Sequence, residues 1–258
     1  MGTGLLILHG GGEAMPGDEP TALEALELAS ASRGAASRDG DEASPIEVAI
    51  LPLAAARGRP ALTVSHVTTF VATVARARGV DLRTMGVPIS DRASAEEPAA
   101  LAILGAADLI ILPGGDPDLL PTVLPWSGAW RAILEAHRRG AVIWGASAGA
   151  MALAEWCWTP AGGQRGLALV QGLVVAPHVE AGADRAWLRR LRERPAALGI
   201  LTLAERTSLV GPLEERSEGA AQGSPWRCVG PGVAAWIPPG AETPIALAHH
   251  GERLHLPT

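Results

Sequence analysis

Lysine is absent from the 258 residues, so all 21 Lys-or-Arg positions are arginine. No lysine ammonium can therefore serve as a base or form a Schiff base with a carbonyl substrate. With the abundance of Ala, Gly and Pro, this reads as codon bias more than function. Cysteine is also scarce: Cys157 and Cys228 are the only two, and neither belongs to a Cys-x-x-Cys pair. That argues against both a disulfide framework and a zinc-finger site. There is no cationic surplus, since the formal net charge is −6 and the chain has no basic block and no acidic tail. Nucleic acid is not an expected partner. Long hydrophobic runs are missing as well. None approaches the roughly 18 residues of a membrane span. The apolar run from Leu5 to Leu8 is too short for a signal sequence. A soluble, cytoplasmic protein with no membrane partner is expected.

What the chain does have is apolar content of 48%, enough for a sizeable core. Strand and helix signals alternate along it. Leu5 to Leu8, Ile46 to Leu53, Leu82 to Val87, Leu109 to Leu112, Ala141 to Trp144, Leu173 to Val175 and Val233 to Ile237 read as strands. Ile200 to Leu203 and Ser208 to Val210 read as two strands able to pair across the Ala204-Glu205-Arg206 turn. Helices are predicted over Glu19 to Ser32, Val67 to Arg78, Ser94 to Leu104 (opened by a capping box), Trp130 to Arg139, Ala150 to Glu155 and Ala183 to Arg194. The last is Arg-rich and reads as a solvated face. Asp116 reads as an N-cap followed by Pro117, and Ala35 to Ser44 as a loop. Continuous apolar strands alternating with helices predict an α/β fold: one domain over 1–258, a mostly parallel central sheet, and helices on both faces. The eight tryptophans are expected in the core.

Ligands of such sheets sit beyond the carboxyl ends of the strands. The most informative stretch, Ala141 to Met151, lies at one of those ends. There a strand runs into Gly145-Ala-Ser-Ala-Gly149 and then into a helix, the strand–turn–helix context of a nucleophile elbow. Ser147 is the candidate nucleophile. A base must lie within reach of it. His178 follows a strand 31 residues later and can return to the same edge, so it is preferred over His9, which could line the site or orient its loop. His137, late in a polar helix, reads as a surface residue. For the carboxylate that orients the base, Glu180 is preferred, with Glu205 and Glu155 behind it. An oxyanion hole needs two aimed N–H groups. Ala148 would give one, and the Gly114-Gly115 turn the other through Gly115. Gly114 and Asp116 are candidate substrate contacts. Gly10-Gly11-Gly12 could cradle an anion, but it is not a GxGxxG sequence and predicts no dinucleotide.

Four motifs together resemble the aspartyl dipeptidase and cyanophycinase family of serine peptidases: Leu8-His-Gly-Gly-Gly-Glu13, Leu112-Pro-Gly-Gly-Asp116, Gly145-Ala-Ser-Ala-Gly-Ala-Met151 and Val175-Ala-Pro-His178. The likeness spans roughly Leu5 to Val210. Leu203-Ala-Glu-Arg-Thr-Ser-Leu-Val210 is similar to a late strand–turn–strand element of that family. The resemblance implies a class I glutamine amidotransferase-like, flavodoxin-like fold. It implies Ser147 as nucleophile, His178 as base, Gly115 and Ala148 as oxyanion donors, and no metal or organic cofactor. The implied substrate is a small peptide, either an N-terminal aspartyl dipeptide or a β-linked aspartyl-arginine unit, and the implied partner is a second copy of the chain in a homodimer. His178-Val-Glu180 matches the His-x-Glu pair of the amidotransferases, whose elbow carries Cys where this chain has Ser147. Arg165 and Arg185 are candidates for a substrate-reading cation. The resemblance also leads to an acidic residue between nucleophile and base, and Thr159 to Pro177 contains none. That motivates an alternative, a catalytically silent small-molecule binding or regulatory module. A third reading, an esterase of the α/β-hydrolase type, shares the elbow but expects an acid before the histidine.

Overall fold

This computed structural model describes residues 4–36, 44–180, 185–212 and 224–256. Numbered along the chain, its strands are β1 (Leu5–His9), β2 (Ile46–Ile50), β3 (Leu82–Gly86), β4 (Leu109–Leu112), β5 (Val142–Ala146), β6 (Ala154–Cys157), β7 (Gln164–Arg165), β8 (Val170–Ala176), β9 (Gly199–Leu203), β10 (Ser208–Pro212), β11 (Ser224–Val229), β12 (Ala234–Ile237), β13 (Ala246–Ala248) and β14 (Arg253–Leu256). Its helices are α1 (Glu19–Ala36), α2 (Pro60–Ala77), α3 (Pro98–Ala106), α4 (Leu119–Val123), α5 (Gly128–Arg138), α6 (Ala148–Leu153) and α7 (Arg185–Arg190). The central sheet has the order β14-β11-β10-β1-β5-β4-β2-β3. From β1 to β3 all neighbours are parallel, and β10, β11 and β14 extend the sheet antiparallel beyond β1.

The inner strands β4 and β5 are apolar and buried at every position because both faces are covered, whereas β3, at the sheet edge, carries Arg83 and Thr84. Side chains alternate across a strand, and here they divide between two cores. Leu6, Leu8, Ile110, Leu112 and Ile143 pack on one face with Leu104, Ile133 and Met151. Ile7, Leu109, Ile111, Val142 and Trp144 pack on the other with Leu26, Val67 and Val71. Each such side chain taken fully out of water contributes about 1.5–3 kcal/mol.

One sheet was expected, and there are two. A second, six-stranded sheet runs β13-β12-β9-β8-β6-β7. The chain enters it from β5 through the short helix α6, whose expected end at Glu155 is instead strand β6. It leaves between β9 and β10. Ile200 to Leu203 and Ser208 to Val210 therefore do not pair with each other: β9 pairs with β8 and β12, and β10 with β1 and β11. The segment from Ala204 to Thr207 is a crossover between sheets, and this sets the geometry of the site.

Other expectations shift for local reasons. The capping box at Ser94 does not form. Ser94 Oγ accepts from the Ser90 and Asp91 amides, Glu96 accepts from the amide of Gly128, and α3 starts at Pro98. Asp116 is not an N-cap either. Its Oδ1 accepts from Asp118 N–H in a turn, and α4 starts at Leu119. Ser127 does cap α5, accepting from Trp130 N–H at 3.0 Å. His137 is buried rather than on the surface, with Nδ1 3.0 Å from the carbonyl of Ala141. Trp144 is in the core as expected, but Trp126 is 86% exposed. Arg190, on the helix read as solvated, lies over the rings of both Trp158 and Trp187. Most of the expected Ala35 to Ser44 loop lies outside the described residues, as do positions 183 and 184 of the last predicted helix.

Candidate active site

Ser147 stands where β5 ends and α6 begins, with φ 49° and ψ −112°. A residue with a β-carbon seldom adopts that conformation, and it persists only where its surroundings hold it. The hold is visible. Ser147 N–H donates to the carbonyl of His9 at 2.9 Å, tying the elbow to the end of β1. A methyl on Gly149 would stand 2.1 Å from the Leu112 carbonyl oxygen, and one on Gly145 2.7 Å from Leu153 Cδ1. The two glycines of the motif let strand and helix close on each other.

His178 follows β8 of the second sheet and also has a left-handed backbone, φ 59°. Its N–H donates to the Gly10 carbonyl at 2.8 Å, and its ring lies on Gly11, where a methyl would meet Cε1 at 2.1 Å. The glycine run after β1 is thus a bed for an imidazole, not an anion cradle. His9 holds that bed in place. Its Nδ1 accepts from Gly11 N–H at 3.1 Å, so the ring proton sits on Nε2, which donates to Asp18 Oδ1 at 2.8 Å. Asp18 Oδ2 accepts from Ala14 N–H at 2.9 Å. His9 and Asp18 are fully buried, and His9 orients its loop.

The elements meet in a continuous chain of hydrogen bonds. Ser147 Oγ is 2.8 Å from His178 Nε2, and His178 Nδ1 is 2.8 Å from Glu205 Oε1. The expected carboxylate, Glu180, is not in that position. Its Oε1 accepts from the backbone N–H of Glu205 at 3.2 Å. A His-x-Glu pair shares one side only where the chain is extended. The left-handed turn at His178 breaks that alternation, and Val179 N–H then donates to the Leu203 carbonyl. Glu155 is elsewhere, accepting from Gly172 N–H at 2.8 Å. The carboxylate that meets His178 thus follows it in sequence and does not lie between Ser147 and His178. It is carried by the sheet-to-sheet crossover, which Arg206 N–H anchors to the Gly11 carbonyl at 2.7 Å.

The turn after β4 closes the other side. Gly115, φ 148°, packs its backbone on Ala54, whose carbonyl oxygen a methyl there would meet at 2.3 Å. Asp116 Oδ2 is held by Arg57 at 2.6 Å, which leaves this side chain tied into its loop. Gly114 N–H donates to Glu13 Oε1 at 2.7 Å. Glu13 and Arg57 were not singled out as site residues in the sequence. The one available signal was that Glu13 ends the glycine run of the first sheet-edge loop. Arg165 lies on the short strand β7, which pairs with β6.

The site is open, with the His178 and Glu205 side chains 43% and 44% exposed. Neither cysteine offers a competing nucleophile. Burial, with the Asp118 charge second, pushes the Cys157 thiol up to about 12, and burial pushes Cys228 up to about 11. Among the described residues no three His, Cys, Asp or Glu side chains cluster closely enough to hold a metal ion.

The sequence profile of peptidase family S51 matches residues 47–211, a span that includes Ser147, His178 and Glu205. The chain belongs to peptidase family S51. The peptidase is a hydrolase of the serine type with the class I glutamine amidotransferase-like fold. It is similar in structure to a peptidase from an acI-B1 Actinobacterium, with a TM-score of 0.74, 23% identity, and 99% and 98% of the two chains covered. It is also similar to a putative Peptidase E protein from Listeria monocytogenes EGD-e, with a TM-score of 0.54, 15% identity, and 83% of this chain and 96% of that one covered. At these identities the likeness concerns the fold. Among curated proteins, no sequence matches. No helix of the described residues is long and apolar enough to cross a membrane.

Proposed function

We propose that the peptidase hydrolyses short aspartyl or β-aspartyl peptides, with Ser147 as nucleophile, His178 as base and Glu205 as the orienting carboxylate. The observation that carries this is the Ser147–His178–Glu205 hydrogen-bond chain, with both contacts at 2.8 Å. His178 Nε2 takes the proton as Ser147 Oγ attacks the scissile carbonyl carbon. Glu205 holds the proton on Nδ1 and stabilises the imidazolium that forms. The tetrahedral oxyanion is received by the N–H groups of Ala148 and Gly115. Collapse breaks the C–N bond, and His178 returns the proton to the leaving amine. Water, deprotonated by the same imidazole, then hydrolyses the acyl-enzyme. The aspartyl preference rests on the family likeness of the motifs. The silent-module alternative was motivated by a missing acid, and Glu205 beside His178 removes that motive.

The test is hydrolysis of a panel of dipeptides, α- and β-linked, with and without an N-terminal aspartate, by wild type and Ser147→Ala. Turnover of an aspartyl member that disappears in the variant is expected. Turnover retained by a folded Ser147→Ala protein would sink the mechanism.

A further inference from the structure

Glu13 is a carboxylate beside the nucleophile with no role in the hydrogen-bond chain. Its Oε1 accepts from Gly114 N–H at 2.7 Å. A methyl built on Gly114 would stand 3.0 Å from that oxygen, 3.1 Å from Ser147 Cβ and 3.5 Å from Ser147 Oγ. One small volume therefore touches both the carboxylate and the attacking hydroxyl. Among the described residues no cation is in ion-pair contact with Glu13. The nearby arginines are engaged elsewhere: Arg57 with Asp116 and Asp118, and Arg206 with the Pro16 carbonyl. A carboxylate can accept about four hydrogen bonds, and Gly114 supplies one.

From this geometry we infer that Glu13 receives the free ammonium group of the substrate's N-terminal residue. The inference rests on the hydrolase reading above. The scissile carbonyl carbon must come within about 3–3.5 Å of Ser147 Oγ to react. In an α-linked peptide the N-terminal ammonium is attached two bonds from that carbon, and in a β-aspartyl peptide three. With the N-terminal residue seated against Gly114, either linkage carries the positive charge into the volume between Ser147 and Glu13. An acylated amine brings no charge there and leaves the carboxylate facing an amide. Glu13 is thereby the contact through which the short peptide proposed above is read at its free amino terminus. An acidic side chain on that residue must be read away from Glu13, because like charges repel.

A charge-assisted hydrogen bond of this kind corresponds to roughly a 10–100-fold preference. The experiment uses two serine-directed probes, the diphenyl phosphonate analogue of aspartate with a free amine and its N-acetyl counterpart. Labelling of Ser147 is followed by mass spectrometry in wild type and in Glu13→Gln. Glutamine keeps an oxygen to accept from Gly114 and loses only the charge, so a merely structural tie predicts no change. The ratio of free-amine to acetyl labelling rates is expected to fall about 10–100-fold in Glu13→Gln. An unchanged ratio, or a wild-type ratio near one, would overturn the assignment of Glu13 and leave the hydrolase reading standing. Ser147 left unlabelled by both probes in the wild type would overturn the hydrolase reading, and this inference with it.

Discussion

Glu205→Gln removes one charge from the hydrogen-bond chain with little change of shape, and its effect can be worked from the exposure of the pair. In the proposed mechanism the imidazolium formed on His178 in the transition state faces the Glu205 carboxylate, whose Oε1 lies 2.8 Å from Nδ1. Two unit charges about 4 Å apart attract by about 4 kcal/mol at a surface-like dielectric and about 1 kcal/mol in water. With the two side chains 43% and 44% exposed, the screened value falls between these limits, about 2–3 kcal/mol. At about 1.4 kcal/mol per tenfold, kcat/KM should fall roughly 30–150-fold. That is well below the ~10⁴-fold loss known for the corresponding Asp-to-Asn exchange in a buried triad. Salt should narrow the difference between wild type and variant, because an exposed pair is screened. Glu180→Gln is the internal control. Its partner is the Glu205 amide, which a glutamine oxygen can also hold, so activity should stay within about twofold. The assay is kcat/KM on the best Ser147-dependent dipeptide at low and high salt, with folding checked by circular dichroism. A Glu180→Gln loss equal to or larger than that of Glu205→Gln would refute the assignment.

Gly11→Ala places a methyl 2.1 Å from His178 Cε1 at a residue with φ 101°, so the ring must move. Its melting temperature should drop by a few degrees, while kcat falls about 100-fold because the base is displaced; near-normal kcat would show that Gly11 does not position the ring. Cys157, buried with its thiol pushed up to about 12, should resist Ellman's reagent at pH 8 in the folded protein and react once urea unfolds it; rapid reaction of the native protein would contradict its burial. His137 is buried and its pKa is lowered, first by desolvation. The unfolded chain therefore takes up a proton here near pH 6.5 while the folded chain stays neutral, so stability falls as pH drops through that range. The slope from this group is at most about 1.4 kcal/mol per pH unit. Urea midpoints between pH 7.5 and 5 should show a decline that is smaller in His137→Gln; an equal decline would assign it to other groups.

The elbow and the parallel strands were legible because their signals are local. A buried strand needs an unbroken apolar run, and a nucleophile turn needs glycines where strand and helix touch. Gly149 against the Leu112 carbonyl is that requirement seen directly. The approach of His178 to Ser147 was legible for a topological reason, since a residue just past a strand end returns to the same sheet edge. Glu205 was harder, because its position depends on which sheet each flanking strand joins. Ile200 to Leu203 and Ser208 to Val210 look like two arms of a hairpin. Only the pairing of β9 with β8 and β12, and of β10 with β1 and β11, turns the segment between them into a crossover that delivers a carboxylate to His178. Spacing favoured Glu180, two residues from the base, but a left-handed His178 cancels the alternation on which that argument stands. The glycine run after β1 misled for a related reason. Its lack of side chains is required by an imidazole from a different sheet, a partner 167 positions away from Gly11 that no local pattern announces. In this fold the turns that carry Ser147 and His178 are set locally, and the carboxylate that meets His178 is set by how two sheets are joined.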